Sequence, residues 1–345
     1  MKKRSKIIDK VLYYINLIFV LLAVVALIVP HVPVNYIPTL STASLAVPIL
    51  ISIHVLFTLF WFVRKKKRML PSLLILVAWY LTLGPFYLFS GPQKSVKGNG
   101  VSIMTFNTRG FNEYGQLDKE NVDSLIIDFV TKQDPDIVCF QECYHVMKIN
   151  DALAQFPYKY VDYEYGKRFD KVIQAIYSKF PILEIDSVPF PRSANTTIYA
   201  DLLIDSDTVR MYNVHLQSFR IIPELDVLSN QKSSKLLSQS KKVMQKQYQQ
   251  AGLIQESMQK SPYKNILVGD FNNTHYSNIY RTIIGDMKDS FMEKGSGFGR
   301  SYNFLGFPMR IDYILADPSF EVLTHQNFDV KLSDHYPVMA TLKLK

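Results

Sequence analysis

Three long stretches without one charged side chain fill most of the first ninety residues. Residues 11–29 (VLYYINLIFVLLAVVALIV), 43–63 (ASLAVPILISIHVLFTLFWFV) and 69–90 (MLPSLLILVAWYLTLGPFYLFS) run for 19, 21 and 22 residues. A helix of about 20 apolar residues spans the hydrocarbon layer of a bilayer, whereas a surface helix of a soluble protein keeps a polar face. The pattern predicts three transmembrane helices, making 1–90 a membrane anchor with the lipid bilayer as its partner. The intervening 30–42 (PHVPVNYIPTLST) has no small-residue cleavage pattern, which argues against a removable signal sequence. Asn16 and His54 lie inside the runs. Polar groups at that depth are functional candidates by default, but one Asn and one His also suit bonds between helices.

Charge gives the orientation. The chain carries 39 basic and 30 acidic residues, a net +9. Taken whole, that total points to a nucleic-acid ligand. Its distribution does not. Ten basic residues (Lys2, Lys3, Arg4, Lys6, Lys10, Arg64, Lys65, Lys66, Lys67 and Arg68) and one acidic residue, Asp9, fall within 1–90, leaving 29 of each sign in 91–345. The two basic clusters flank apolar runs, and 30–42 has no Lys or Arg. Basic loops stay in the cytoplasm. The N-terminus and 64–68 are then cytoplasmic, and everything beyond residue 90 is extracytoplasmic, as in an integral protein of a bacterial-type plasma membrane. Trp61, Trp79, Tyr80 and Tyr87 suit interfacial depths. Residues 91–100 (GPQKSVKGNG) read as a short linker.

From residue 101 the pattern changes to short β-rich runs that end abruptly in polar residues. VSIMTF precedes Asn107, DIVCF precedes Gln141 and Glu142, and NILVG precedes Asp270. TTIYADLLI and TVRMYNVHL suit a hairpin turning around residues 205–207, RIDYILA follows a Gly-rich loop, and VMATLKL closes the chain. Helical patterns lie between, in 118–132 and 229–260. Alternating strands and helices predict an α/β or α+β layered domain over 101–345. The segment 219–260 suits one or two amphipathic helices; its early part, FRIIPELDVL, reads foremost as a plain solvent-facing helix, with a loop over a site or a membrane contact as alternatives. Cys139 and Cys143 both lie in DIVCFQEC. Four extended residues cover about 13 Å, beyond the roughly 7 Å that a disulfide allows between Cα atoms. Both are expected to be free unless a tight turn forms at Glu142.

The strand ends carry the chemistry. Glu142 closes an apolar strand, where a carboxylate is costly unless exposed, paired or metal-bound. Asp270 and Asn272 face the same way on extended backbone. Asp334 and His335 precede the last strand, Asp312 lies in RIDYIL, Asn107 closes the first strand, and His215 lies in NVHLQS. Hard oxygen donors without clustered Cys or His suit Mg²⁺ or Mn²⁺ rather than zinc. Carboxylates with two histidines and no Ser–His–Asp pattern suit attack by water on a phosphorus ester. The glycines of 295–300 (GSGFGR) lack the Lys-Ser/Thr and helix start of a nucleotide cradle and read as a loop near the site.

The set TFNTRG, CFQEC, AIYSKFPI, NVHLQS, VGDFNNT, RIDYIL and SDHYPV, in this order over 101–345, resembles the endonuclease/exonuclease/phosphatase superfamily. That superfamily includes deoxyribonucleases, abasic-site endonucleases, neutral sphingomyelinases and inositol polyphosphate 5-phosphatases. GDFN followed at a distance by SDH and preceded by QE is the specific part. The resemblance implies a four-layer α/β sandwich, two packed sheets with helices outside. It also implies roles: Glu142 as principal metal carboxylate with Asn107 beside it and Asp334 as a secondary ligand. Asp270 matches the residue that orients or deprotonates water, with Asn272 helping to hold the phosphate. His335 matches the histidine at the scissile phosphate, Asp312 its partner, and His215 the second histidine of the deoxyribonuclease and sphingomyelinase branches. Arg109, two residues after Asn107, is a candidate phosphate contact. The implied function is divalent-metal-dependent cleavage of a phosphodiester or phosphomonoester in a nucleic acid, phospholipid or sphingolipid. The alternative is an inactive phosphate-ligand binding module on the same fold. Tyr163, Tyr165 and Phe169 around Lys167 and Arg168 suit stacking on a base or lipid.

Overall fold

The computed structural model describes residues 2–91, 100–113, 115, 117–143, 152–162, 172–220 and 233–345. Most of the expected linker, the aromatic cluster at 163–169, and 221–232 of the possible lid lie outside the described residues.

The N-terminal body is built from α1 (Lys2–Ile28), a four-residue turn of helix α2 (Pro38–Ser41), α3 (Val47–Val63) and α4 (Leu70–Leu83). Two segments, Lys6–His31 and Pro38–Val63, are long and apolar enough to cross a membrane, 26 residues each. The third expected span is corrected. Its helix stops at Leu83 after 14 residues, about 21 Å of rise against a layer of about 30 Å. Gly84 at φ 85° leaves helical geometry, and Pro85 has no N–H to continue it. Residues 86–88 then dock on the C-terminal domain. Phe86 and Tyr87 pack on Phe298 at 5.2 and 4.8 Å, and Leu88 exchanges backbone hydrogen bonds with Gly297. The GSGFGR loop is therefore a docking element for the N-terminal body. Asn16 and His54 bond between helices through Ser72, at 2.6 and 3.0 Å. Asp9 pairs with Arg64 and Lys66, so α1 begins at the same end of the bundle where α3 stops.

The C-terminal body has two six-stranded mixed sheets. The first has the order β13-β14-β1-β2-β4-β3 and the second β5-β6-β7-β8-β12-β9. Strands β1 (Val101–Asn107) and β2 (Ile137–Gln141) run parallel, as do β7 (Asp207–His215) and β8 (Lys264–Asp270). The expected hairpin is β6 (Thr196–Ile204) with β7. Strands β3 (Tyr158–Val161), β4 (Ala175–Ser178), β5 (Ile182–Pro189), β9 (Lys288–Asp289), β12 (Asp312–Ala316), β13 (Phe320–Asn327) and β14 (Val338–Leu344) complete the sheets, and β10 (Tyr302–Phe304) and β11 (Phe307–Met309) form a separate hairpin. Helix α5 (Val122–Gln133) covers the first sheet, and α6 (Ser233–Lys260) with α7 (Asn278–Ile284) covers the second. A short α8 (Ser290–Lys294) follows β9. The expected four-layer sandwich is present.

Strand alternation builds the layers. Ile103, Cys139, Met211, Val268 and Ile314 face the space between the sheets. Their neighbours Met104 and Phe140 face α5, and Tyr212, Leu267 and Tyr313 face α6 and α7. Burial of this kind contributes about 25 cal/mol per Å² of apolar surface. Cys139 and Cys143 are free. Glu142 does turn, at φ 50°, yet Cys139 packs between the sheets and Cys143 on the α5 side. Gly269 sits at φ 132° against β7, where an added Cβ would lie 2.1 Å from the Val214 carbonyl oxygen.

Candidate active site

Followed toward one edge of the sandwich, the residues facing the inter-sheet space change from apolar to polar, ending in an amide or an ionisable group. In β1 the row is Ile103, Thr105, Asn107; in β2 it is Ile137, Cys139, Gln141; in β7 it is Val209, Met211, Asn213, His215; in β8 it is Ile266, Val268, Asp270. Parallel pairing puts Asn107 beside Gln141 and His215 beside Asp270, and antiparallel pairing puts Asp312 opposite Asp270. Strand ends as far apart in sequence as Asn107 and Asp312 therefore meet at one place.

Behind them lies a buried amide layer. Gln141 donates to Asn213 Oδ1 at 2.6 Å, Asn213 donates to the Phe140 and Ala175 carbonyls, and Gln174 donates to the Asn213 carbonyl. Buried amide bonds of this kind hold their members in one arrangement, and among the described residues Gln174 Oε1 is the one atom of the layer left without a protein partner.

Asp270 is almost fully buried. Its Oδ1 accepts from the Asn272 backbone N–H at 2.7 Å; its Oδ2 accepts from the Asn107 and Asn272 side chains at 3.0 and 2.9 Å. Burial, reinforced by Asp312 and opposed by His335, pushes its pKa up to about 8. Asn107 Nδ2 also donates to Glu142 Oε1 at 3.2 Å, while its oxygen accepts from the Arg109 backbone N–H. The amide nitrogen of Asn107, not its oxygen, thus faces the carboxylates. Burial raises Glu142 above the usual carboxylate range.

His335 Nδ1 lies 2.9 Å from Asp312 Oδ2, and its Nε2 lies 3.8 Å from Asp270 Oδ2. Burial opposes its charge, but the Asp312 and Asp270 carboxylates outweigh that and hold the imidazolium well above its ordinary range. His215 is the opposite case. Its Nε2 lies 3.6 Å from Glu142 Oε1 and 3.7 Å from Asp270 Oδ2, with no hydrogen-bond partner at either nitrogen. Burial, with the nearby charge of His335, lowers it to about 3, so it is neutral. Asp334 is partly exposed and pairs with Arg109 at 3.2 Å. Asp270, Asp312 and His335 bring ligand atoms within 4.8 Å of one another. Arg109, Glu142 and Asn272 carry φ of 46°, 50° and 48°, a conformation that costs of order 1–3 kcal/mol and gathers at functional sites.

All nine residues expected from the sequence come together here. Arg109, Glu142, Asn272, Asp334 and His335 line a cleft of about 450 Å³ together with Tyr302 and Arg220, and the other four stand against them. Several supporting residues were not anticipated. Ser301 Oγ accepts the backbone N–H groups of Ile311 and Asp312 at 3.0 Å. Gln247 donates to the carbonyls of Gln217 and Asn272, and Gln250 accepts from the Gln217 N–H. A signal for these was present: Gln247 and Gln250 fall in the same helical stripe as Val243, Met244, Ala251 and Ile254, and a glutamine within an apolar stripe needs a buried partner.

A family model described as the endonuclease/exonuclease/phosphatase family matches residues 104–335, and another, described as a domain of unknown function, matches residues 9–86. No curated protein matches the chain. Among solved structures, truncated TDP2 of Caenorhabditis elegans is similar at 19% identity and a TM-score of 0.54, covering 72% of this chain and 100% of that one. An endonuclease/exonuclease/phosphatase from Bacteroides vulgatus is similar at 20% identity and a TM-score of 0.52, with 72% and 100% covered. TDP2 of D. rerio, solved with a single-strand DNA product, is similar at 14% identity and a TM-score of 0.54, with 70% and 98% covered.

Proposed function

Because the chain belongs to the endonuclease/exonuclease/phosphatase family, we propose that it hydrolyses phosphoric ester bonds with Mg²⁺ or Mn²⁺, in a cleft held at a membrane by residues 1–90. The observation that carries this is the meeting of Glu142, Asp270 and the His335–Asp312 pair at one sheet edge.

The donor set suits a hard divalent cation. Asp270 and Asp312 flank the cationic imidazole of His335, Glu142 shares the Asn107 amide with Asp270, and Asp312 Oδ1 has no protein partner among the described residues. Such an oxygen-rich cluster matches the preference of Mg²⁺ and Mn²⁺. Glu142 and Asp334 would hold the cation, with Asn107 steering Glu142 and Asp270. Bound there, it would neutralise charge on the phosphoryl oxygens.

The chain's own residues supply the rest. In hydrolysis a water oxygen bonds to phosphorus, the ester P–O bond breaks, and a proton goes to the departing oxygen. Asp270, fixed through both oxygens and raised toward neutrality, is placed to orient and deprotonate the water. His335, locked by Asp312, offers Nε2–H to the phosphoryl charge. His215, uncharged, shares that space without adding charge of its own. Arg109 can exchange Asp334 for phosphate at the cleft mouth. The DNA product held by D. rerio TDP2 supports a nucleic-acid substrate; the apolar N-terminal helices support a phospholipid or sphingolipid.

Membrane placement rests on the two apolar segments of 26 residues and on the basic clusters at one end of the bundle. The orientation rests on the opposite end and not on a third span: α4, though too short for a full span, leads the chain back toward that end, where Asn278 bonds the Pro30 carbonyl and Thr274 that of Ser44. That supports a cytoplasmic N-terminus and an extracytoplasmic catalytic domain. A reporter fused after Lys345 should be active only outside; cytoplasmic activity would reverse the orientation.

The full chain in nanodiscs should turn over bis(p-nitrophenyl) phosphate with Mg²⁺ or Mn²⁺ and stop on addition of EDTA. Asp270→Asn and His335→Ala should each lose about 10²-fold or more in kcat. Phosphate binding without turnover in any divalent metal would instead identify an inactive binding module.

A further inference from the structure

One wall of the cleft comes from the N-terminal body. Leu45, on the turn Thr42–Ala46 between the two long apolar helices, lines the cleft with Phe219, Phe304, Met309 and Ile311. These five apolar side chains share the cleft with the carboxylates and His335. The turn is fastened to the catalytic domain. Thr274, two residues beyond Asn272, bonds the Ser44 carbonyl, and Asn278 bonds that of Pro30. Val34 is fully buried in the core that α6 and α7 share with the second sheet. The hairpin β10–β11, which supplies Phe304 and Met309, packs its Phe307 on Phe86, just after α4. The cleft therefore lies beside the first residues of the second candidate membrane span, between α1 and α3.

The cations of the cleft are few. Among the described residues its lining includes two arginines, Arg109 and Arg220, and Arg109 is paired with Asp334. A nucleic-acid backbone calls for a track of Lys and Arg. A phosphoester with an aliphatic chain calls for one polar pole and one apolar wall, which is what this cleft has.

Resting on the hydrolase proposed above, we infer that the substrate is a lipid phosphoester taken from the outer membrane surface, its phosphate at Glu142 and His335 and its chain against the wall completed by Leu45. Leu45 is then a specificity-determining residue contributed by the membrane anchor, and the anchor forms part of the substrate site.

The test uses the full chain in nanodiscs with methyl, butyl and octyl p-nitrophenyl phosphates and thymidine 5′-p-nitrophenyl phosphate. A methylene moved from water into an apolar wall is worth about fourfold, so kcat/KM should climb about three- to fourfold per methylene while the chain stays on the wall. Leu45→Asn and, independently, Phe304→Ser should flatten that slope. A slope equally steep in wild type and both variants reports partition into the bilayer and overturns the inference. So does a flat series in which the methyl ester is still cleaved, which leaves the hydrolase proposal standing. A thymidine ester preferred over the octyl ester overturns it in favour of a nucleic acid. No turnover of any ester with either metal overturns the hydrolase proposal and this inference together.

Discussion

Replacing Asp312 with Asn isolates the proposed chemistry from the fold. Asp312 is 3% exposed, its backbone N–H is held by Ser301 at 3.0 Å, and its Oδ2 meets His335 Nδ1 at 2.9 Å. Asn has the same shape, so sheet register and packing should survive. Only the charge changes. Burial works against the cationic form of His335, and Asp312 is the foremost group outweighing it. Without that carboxylate the imidazole moves toward neutrality and its ring loses the partner that orients it. Removing one member of a buried charge pair costs about 3–5 kcal/mol. If that loss falls on the transition state, kcat drops roughly 10²–10⁴-fold, at 1.36 kcal/mol per factor of ten. The assay is steady-state hydrolysis of bis(p-nitrophenyl) phosphate across the neutral and mildly alkaline range, with a thermal melt as control. The alkaline limb, where cationic His335 is lost, should also move to lower pH. A kcat within about threefold of wild type and an unmoved limb would refute the role given to this pair.

Gly269→Ala should be severely destabilising, since its Cβ would meet Val214 backbone atoms at 2.1, 2.8 and 2.9 Å and φ is 132°. Steric overpacking and backbone strain together suggest about 2–6 kcal/mol; an unshifted Tm would show that β7 and β8 are not held this closely. Stability should fall as pH drops from about 6.5 toward 4. Burial holds His325 down to about 4 against an ordinary 6.5, with Asp289 opposing and Arg310 reinforcing. The unfolded chain takes up a proton in that window that the folded chain refuses, a loss of roughly 3 kcal/mol across it. His325→Gln should flatten the dependence of Tm on pH over that window, and an unchanged slope would assign it to other groups.

Much of the catalytic domain was legible because its signals are local. Short β-rich runs identified the strands, and their abrupt change from apolar to polar residues marked where several reach the sheet edge. Asn107, Glu142 and Asp270 are visible that way, and the resemblance supplied the roles of His215 and Asp312 and the grouping of the set. The supporting amides were harder to see. Gln141, Gln174 and Asn213 look like ordinary strand residues until two sheets face one another. Gln247 acquires meaning only when the second sheet lies beneath α6.

The third apolar run shows where composition stops being decisive. Its 22 residues satisfy any length criterion, yet the helix ends at Leu83. Gly84 and Pro85 were visible in the sequence. The aromatic partners that make leaving the helix favourable, Phe298 and Phe307, lie more than two hundred residues away.

The sequence by itself determined that an apolar, basic-flanked N-terminal body precedes a neutral α/β domain, and it determined which acids and histidines stand at the strand ends. Those properties depend on the length of apolar runs, on where they give way to polar residues, and on charge counted along the chain. Only the tertiary structure decided that Asp312 faces His335, that His215 is neutral while His335 is charged, and that Leu45 forms part of the cleft wall. Each of these depends on which surfaces bury one another. Both histidines are buried, and the carboxylates packed around each set the sign of its shift, while packing between distant segments sets which apolar side chain stands beside a phosphate site.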